Sequence, residues 1–183
     1  MTVSYQNWLD VLDEVGAAGL VAAYFTFPHV HQRIGRFLAP GSGDTFQVDN
    51  AIDSFVQGGW LGKGPGEGTV KRILPDSHTD FVFATMAEEW GLLGGLFVLI
   101  VFALILRWGF ATARNAPDRF SGLLAGGMTC TVFFYIAINL MMVMGLAPVV
   151  GIPLPFMSHG GSSMMTNMIC LGTIMAVDRW SRR

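Results

Sequence analysis

From Phe120 to Val177 the chain carries no Asp, Glu, Lys or Arg. Crossing the hydrocarbon core of a bilayer takes about 20 residues of helix, so this run is far longer than one crossing needs. Of the 183 residues, 52% are hydrophobic and 13% charged, and the mean hydropathy is +0.50. The charged share is about half the roughly 25% of soluble domains. These features predict an all-α integral membrane protein, a polytopic helical bundle. A net charge of −2 gives no reason to expect a nucleic-acid partner. Cys130 and Cys170 both sit in apolar segments, where a thiol acts as a small hydrophobe, so neither a disulfide nor a metal site is expected. Asp10, Asp13 and Glu14 stand where a secretory signal would be basic, so no cleavable signal peptide is expected.

Four apolar segments can be drawn, at 15–27, 90–106, 121–144 and 162–177. The first is short for a span, and the second has an apolar helical lead-in from Phe81 to Ala87. Basic residues close to span ends mark the cytoplasmic side. Arg107, Arg114 and Arg119 follow the second segment, and Arg179, Arg182 and Arg183 follow the last. Residues 28–80 and the Pro/Gly-rich connection 145–161 are then predicted to lie outside, with the C-terminus cytoplasmic.

The outer segment has structure of its own. Val48, Ile52, Phe55 and Val56 fall at helical spacing within Asp44–Phe55 and its flank. They predict an amphipathic helix on the membrane surface or packed on its neighbours. Gly58–Gly68 is a glycine-rich loop, but Lys63 precedes Gly64 instead of Ser or Thr. It also fails the dinucleotide pattern, so nucleotide binding is not expected. Gly91/Gly95 and Gly122/Gly126 read as small faces for close helix packing. Two breaker-rich stretches, Lys71–Phe81 and Pro148–Ser163, fall on the same predicted side. Irregular backbone near a bilayer is tolerated only when buried or lining a wet cavity. An ionisable side chain there is a candidate functional group.

Several of these strings occur together in one order: F-P-H-V-H-Q-R-I-G-R-F-L-A-P (Phe27–Pro40), D-T-F-Q-V (Asp44–Val48) and G-W-L-G-K-G-P-G-E-G-T-V-K-R-I-L-P-D-S-H-T-D-F-V-F (Gly59–Phe83). A-E-E-W-G (Ala87–Gly91) and G-L-A-P-V-V-G-I-P-L-P-F-M-S-H-G-G-S-S (Gly145–Ser163) follow. The series resembles the bacterial SEDS family, the FtsW/RodA/SpoVE proteins of division, elongation and sporulation. The resemblance covers nearly everything after Gly19, whereas residues 1–14 do not look like the family. It reads as the C-terminal portion of a member. The outer segment up to Ile73 looks closer to FtsW, and A-G-G-M with P-V-V-G-I-P-L-P closer to RodA. His159 stands where the family has an aromatic hydroxyl.

The resemblance implies a multi-pass protein of the bacterial inner membrane that polymerises lipid II into peptidoglycan glycan strands. Lipid II is an undecaprenyl-pyrophosphate-linked disaccharide pentapeptide. The implied partners are a class B penicillin-binding protein and other membrane proteins of the divisome or elongasome. Two other readings stay open: lipid II transport by a flippase, and a truncated, inactive protein that docks on partner helices.

By this resemblance the catalytic carboxylate is Asp80, in His78-Thr79-Asp80-Phe81. Glycan extension needs a sugar hydroxyl to attack an anomeric carbon while a lipid pyrophosphate leaves, and a carboxylate within reach can take the proton. The competing reading makes Ser77-x-x-Asp80 a capping box opening a helix at Phe81. His78 would orient Asp80 or meet a phosphate. Lys71 and Arg72 would neutralise the pyrophosphate or anchor the chain at the interface by snorkelling. Glu88 and Glu89, two acids preceding a span, are assigned a supporting role behind the site. Ser158, Gly160, Gly161 and Ser162, with Ser163, would offer an anion site at a helix start. Alternatively the glycines form a tight turn and Ser162 caps the helix. A divalent cation, Mg or Mn, would suit pyrophosphate chemistry, yet no ligand set can be read, and His29-x-His31 lacks a third ligand. Met141, Met142 and Met144 read as apolar filler, and Asn139 as an interhelical hydrogen bonder.

Overall fold

The computed structural model describes residues 25–28, 32, 35, 43–69 and 79–182. The chain divides into two compact units, Met1–Thr45 and Phe46–Arg183. In the first, Phe25 and Thr26 are helical and exposed. The expected span at 15–27 lies outside the described residues except for 25–27. The second unit holds nearly everything described, and it is helical with no strand among the described residues.

Among the described residues four helices follow in order: α1 (Gly43–Gly58), α2 (Val82–Arg114), α3 (Arg119–Val143) and α4 (Gly161–Ser181). The four-residue turn between α2 and α3 makes them antiparallel neighbours. Asp118 sets the start of α3: its carboxylate accepts from Ser121 N at 2.9 Å and Ser121 Oγ at 2.8 Å. These bonds satisfy one of the donors that a helix start leaves open, and they hold the Asp118 pKa below its ordinary value. At the other end of α3, Leu146 N donates to Met141 O (2.8 Å) and Gly145 N to Met142 O (3.1 Å). Gly145 has φ +72°, so this end is a Schellman motif.

α2 and α3 are long and apolar enough to cross a membrane, and only 17% and 28% of their apolar windows are buried within the chain. Leu92, Leu93, Leu96, Phe97 and Ile100 point outward. A soluble protein rarely exposes so continuous an apolar face; hydrocarbon accepts it without cost. The core is built from Phe81, Phe83, Ala84 and Phe102 of the α2 region, Val132, Ile136 and Val143 of α3, and Leu154 and Cys170, with Ala51 of α1.

The expected helix α1 forms, with Ala51, Ser54 and Gly58 buried and Ile52 and Val56 exposed. The small residues let α1 approach the start of α2 so closely that a Cβ on Gly58 would lie 2.1 Å from Ala87 O. Phe55 packs on Phe83 with ring centroids 5.9 Å apart. The Gly91/Gly95 pair does not form a packing face, because Gly91 is where α2 breaks: its φ/ψ of 68°/−168° are non-helical and essentially restricted to glycine. Gly122 and Gly126 do face α2, at Ala113.

The glycine-rich loop closes that break. Lys63 N and Gly64 N donate to Glu88 O (3.0 Å) and Glu89 O (3.1 Å). From beyond the break, Leu92 N donates to Gly59 O (2.9 Å) and Leu93 N to Trp60 O (3.3 Å). The backbone groups released by interrupting the helix are thus satisfied by the loop, as burial demands. The approach is so close that a Cβ on Gly62 would sit 2.1 Å from Glu89 O.

Candidate active site

Asp80 lies in the turn leading into α2, and the Pro/Gly connection between α3 and α4 comes up against it. A Cβ built on Gly151 would be 3.3 Å from Asp80 Oδ2, so the carboxylate lies directly over that glycine. Gly151 has φ +77° and is exposed, which leaves the carboxylate beside a surface a substrate can reach. The two breaker-rich stretches therefore meet at Asp80 and Gly151.

One side chain ties them. Asn139, on the last turns of α3 and fully buried, donates from Nδ2 to Asp80 O (2.8 Å) and to Ile152 O (2.7 Å). The expected interhelical bond is replaced by a bridge between two non-helical carbonyls. The connection has further internal ties. Leu154 N donates to Ser158 Oγ at 2.7 Å, Ser158 N returns to Leu154 O at 3.1 Å, and Val150 N donates to Met142 Sδ at 3.2 Å. Met142 is buried, whereas Met141 and Met144 are partly exposed.

Of the two capping readings, the one at Ser162 falls within the described residues, and it does not hold. α2 opens with Phe81 at its N-cap and no side-chain cap bond; Ser77 lies outside the described residues. α4 opens with Gly160 at its N-cap, again without a side-chain bond, so Ser162 is already inside the helix. Gly161 and Ser162 are exposed, His159 is exposed, and Ser158 is buried with its hydroxyl engaged by the loop backbone. Lys71, Arg72 and His78, like His29 and His31, lie outside the described residues.

Glu88 is buried. Its Oε1 lies 2.7 Å from Lys63 Nζ and accepts from Thr69 N and Thr69 Oγ1, both at 2.9 Å. Lys63 Nζ also donates to Gln57 and Thr69. A carboxylate out of water needs such a cation and donors. The supporting role expected of Glu88 thus takes a definite form: it fastens the glycine-rich loop to α2. Glu89 is half-buried. Lys63 and Thr69 were not singled out from sequence. The signal was available, since a glutamate committed to a buried helix requires a nearby cation.

Among the described residues no group of three or more His, Cys, Asp or Glu is placed to hold a metal ion. The donors that are described do not form a resident cation site. Beside Phe55 and Phe83 runs a wholly apolar groove of about 330 Å³, lined further by Ala87, Leu92, Leu96 and Met144.

Comparison with known proteins agrees with this arrangement. The family described as cell cycle protein, FtsW/RodA/SpoVE, matches residues 1–183. A probable peptidoglycan glycosyltransferase FtsW of Caulobacter vibrioides is 39% identical over 173 residues, covering 94% of this chain and 44% of that protein. Stage V sporulation protein E of Bacillus subtilis is 36% identical over 172 residues, covering 92% and 47%. The peptidoglycan glycosyltransferase MrdB of Escherichia coli is 36% identical over 168 residues, covering 88% and 45%. The chain thus spans about half the length of the curated relatives it matches. A chain from a structure of a peptidoglycan synthase complex that coordinates polymerisation and crosslinking superposes with a TM-score of 0.75. It is 26% identical and covers 98% of this chain and 51% of that one. An aspartate-to-alanine mutant of the Thermus thermophilus rod shape determining protein RodA gives 0.56 at 34% identity, covering 67% and 39%. With the match running the full length of the sequence, and with the Asp80 turn and the Pro/Gly connection meeting as described, the chain belongs to the FtsW/RodA/SpoVE family.

Proposed function

We propose that this chain carries the acceptor-activating half of a peptidoglycan glycosyltransferase that polymerises lipid II. The carrying observation is the Asp80 carboxylate lying over Gly151 at the junction of two non-helical segments. In the proposed step Asp80 accepts the proton of an acceptor sugar hydroxyl. That oxygen bonds to the anomeric carbon of the donor sugar on the opposite face from the pyrophosphate. The carbon–oxygen bond to the pyrophosphate breaks, and its electron pair leaves with the phosphate. The anomeric configuration inverts. General-base help of this kind is worth about 10²–10⁴-fold.

Lys71, Arg72 and His78 are assigned to the departing pyrophosphate. The backbone of Gly160 and Gly161, with Ser162, offers a second anion contact at the positive end of α4. Ser158 serves by shaping the connection. Mg or Mn would suit the charge on the pyrophosphate. The apolar groove beginning at Phe83, one turn from Asp80, is suited to the first units of the polyprenyl tail.

The working enzyme is placed in the bacterial inner membrane with its C-terminus cytoplasmic. A class B penicillin-binding protein and other divisome or elongasome membrane proteins are its proposed partners. The transport reading draws on broken helices whose freed ends face a substrate. At Gly91 those freed groups are taken by the loop 59–64, so the support falls on transfer. The test is glycan polymerisation by the complete enzyme carrying Asp80→Asn or Asp80→Ala. Undiminished activity in a folded variant would remove the assignment, and lipid translocation without chain lengthening would favour transport.

A further inference from the structure

We propose that Asn139 is a positioning residue for the reaction: its carboxamide sets the register between the Asp80 turn and the Gly151–Ile152 turn, and so places the carboxylate. This rests on the reading of Asp80 as the general base. Asn139 is fully buried near the end of a membrane-type helix, where a polar side chain is costly unless its bonds are made. Both of its side-chain bonds go to the site, to Asp80 O and Ile152 O, carbonyls that lie 59 and 13 residues away in sequence. Its Oδ1 is buried and has no hydrogen-bond partner among the described residues. The amide is therefore held by its two donors alone, and it leaves one acceptor unsatisfied to do so.

The consequence is geometric. Asp80 is anchored through its own carbonyl, one residue before the buried Phe81. Gly151 is anchored through its neighbour Ile152. The same Nδ2 holds both, so one planar group ties the Asp80 backbone to the turn that carries Gly151. Asn139→Asp keeps the size and removes both donors, setting a carboxylate against two carbonyl oxygens. Asn139→Ala removes the bridge without adding charge. A base displaced by about 1 Å loses rate on the order of a hundredfold, while contacts that bind the substrate elsewhere persist.

Two measurements on the complete enzyme test this. In steady-state polymerisation, both variants should lose kcat on the order of a hundredfold with KM for lipid II little changed and with the thermal midpoint retained in at least one of them. Independently of activity, a paired Asp80→Cys and Gly151→Cys variant should crosslink under mild oxidation in membranes, and more slowly when Asn139→Asp is added. Unchanged kcat in a folded variant overturns the proposal. So does a rate loss fully explained by a smaller folded fraction. Failure of the cysteine pair to crosslink with Asn139 present, or crosslinking indifferent to Asn139→Asp, overturns it as well. If Asp80→Asn proves fully active, the catalytic reading fails, while the crosslinking result still decides whether Asn139 sets the register.

Discussion

Lys63 Nζ lies 2.7 Å from Oε1 of Glu88, and the glutamate side chain is wholly buried while the lysine is 29% exposed. The pair joins the glycine-rich loop to the part of α2 before its break. Removing the cation takes a charge-assisted bond of 2.7 Å away from a buried carboxylate. Lys63→Met should therefore destabilise the protein by about 3–5 kcal/mol, read as a lower unfolding midpoint in detergent. Glu88→Gln, which removes the charge but keeps an acceptor for Thr69, should cost less. Equal midpoints for Lys63→Met and the unaltered protein would contradict the assignment.

The break at Gly91 predicts a second effect of the same kind. A Cβ there would meet Gly62 N at 2.4 Å and Trp60 O at 2.6 Å, in a backbone region closed to other residues. Strain of this type costs about 1–3 kcal/mol, and the loop must also withdraw from α2. Gly91→Ala should lower the yield of folded protein. It should also expose the amides of Leu92 and Leu93 to hydrogen exchange, whereas Gly127→Ala, with open space around it, should be silent.

Much of this architecture could be read before the fold was known, and the exceptions have physical causes. The charge-free run announced α3 and α4, and the two breaker-rich stretches, expected together, do meet at Asp80 and Gly151. The inner side of α1 was not legible, because apolar side chains such as Ile52 and Val56 need not point inward where other apolar surroundings accept them. Small residues marked the contact instead. Gly91 and Gly95 have the spacing of a helix face, and nothing local distinguishes a packing glycine from one with φ 68°. The partners of Asn139 were invisible for a different reason: a buried amide announces a need for partners but does not name carbonyls so far away along the chain.

Asp118 offers a pH-dependent test away from the site. Its pKa lies below the ordinary 3.8, chiefly because Ser121 N and then Ser121 Oγ donate to it. A depressed carboxylate contributes stability that is fully present above its unfolded pKa and lost as pH falls through the folded value. The difference in unfolding midpoint between the unaltered protein and Asp118→Ala should thus be steady from pH 5 upward and shrink below about pH 3.8. Asp118→Asn, which caps without titrating, should show no such change. A difference that grows toward acid pH would reverse the sign and refute the cap as its origin.

Gly151→Ala separates closeness from chemistry at Asp80. The added methyl meets Asp80 Oδ2 at 3.3 Å, tighter than ordinary contact, and φ +77° costs an L-residue about 1–2 kcal/mol. The stability loss should stay within that range, because Gly151 is exposed and the connection keeps its ties at Leu154–Ser158 and Asn139–Ile152. The rate should fall as well: the carboxylate is pushed off its place, and polymerisation by the folded variant should drop about tenfold or more. The replacement should leave the variant able to bind its lipid substrate, so the loss should appear in kcat. Gly127→Ala, with nothing within 4 Å of its Cβ and away from the site, provides the control. Equal activity of the two variants would mean that the contact between Asp80 and Gly151 plays no part in the reaction.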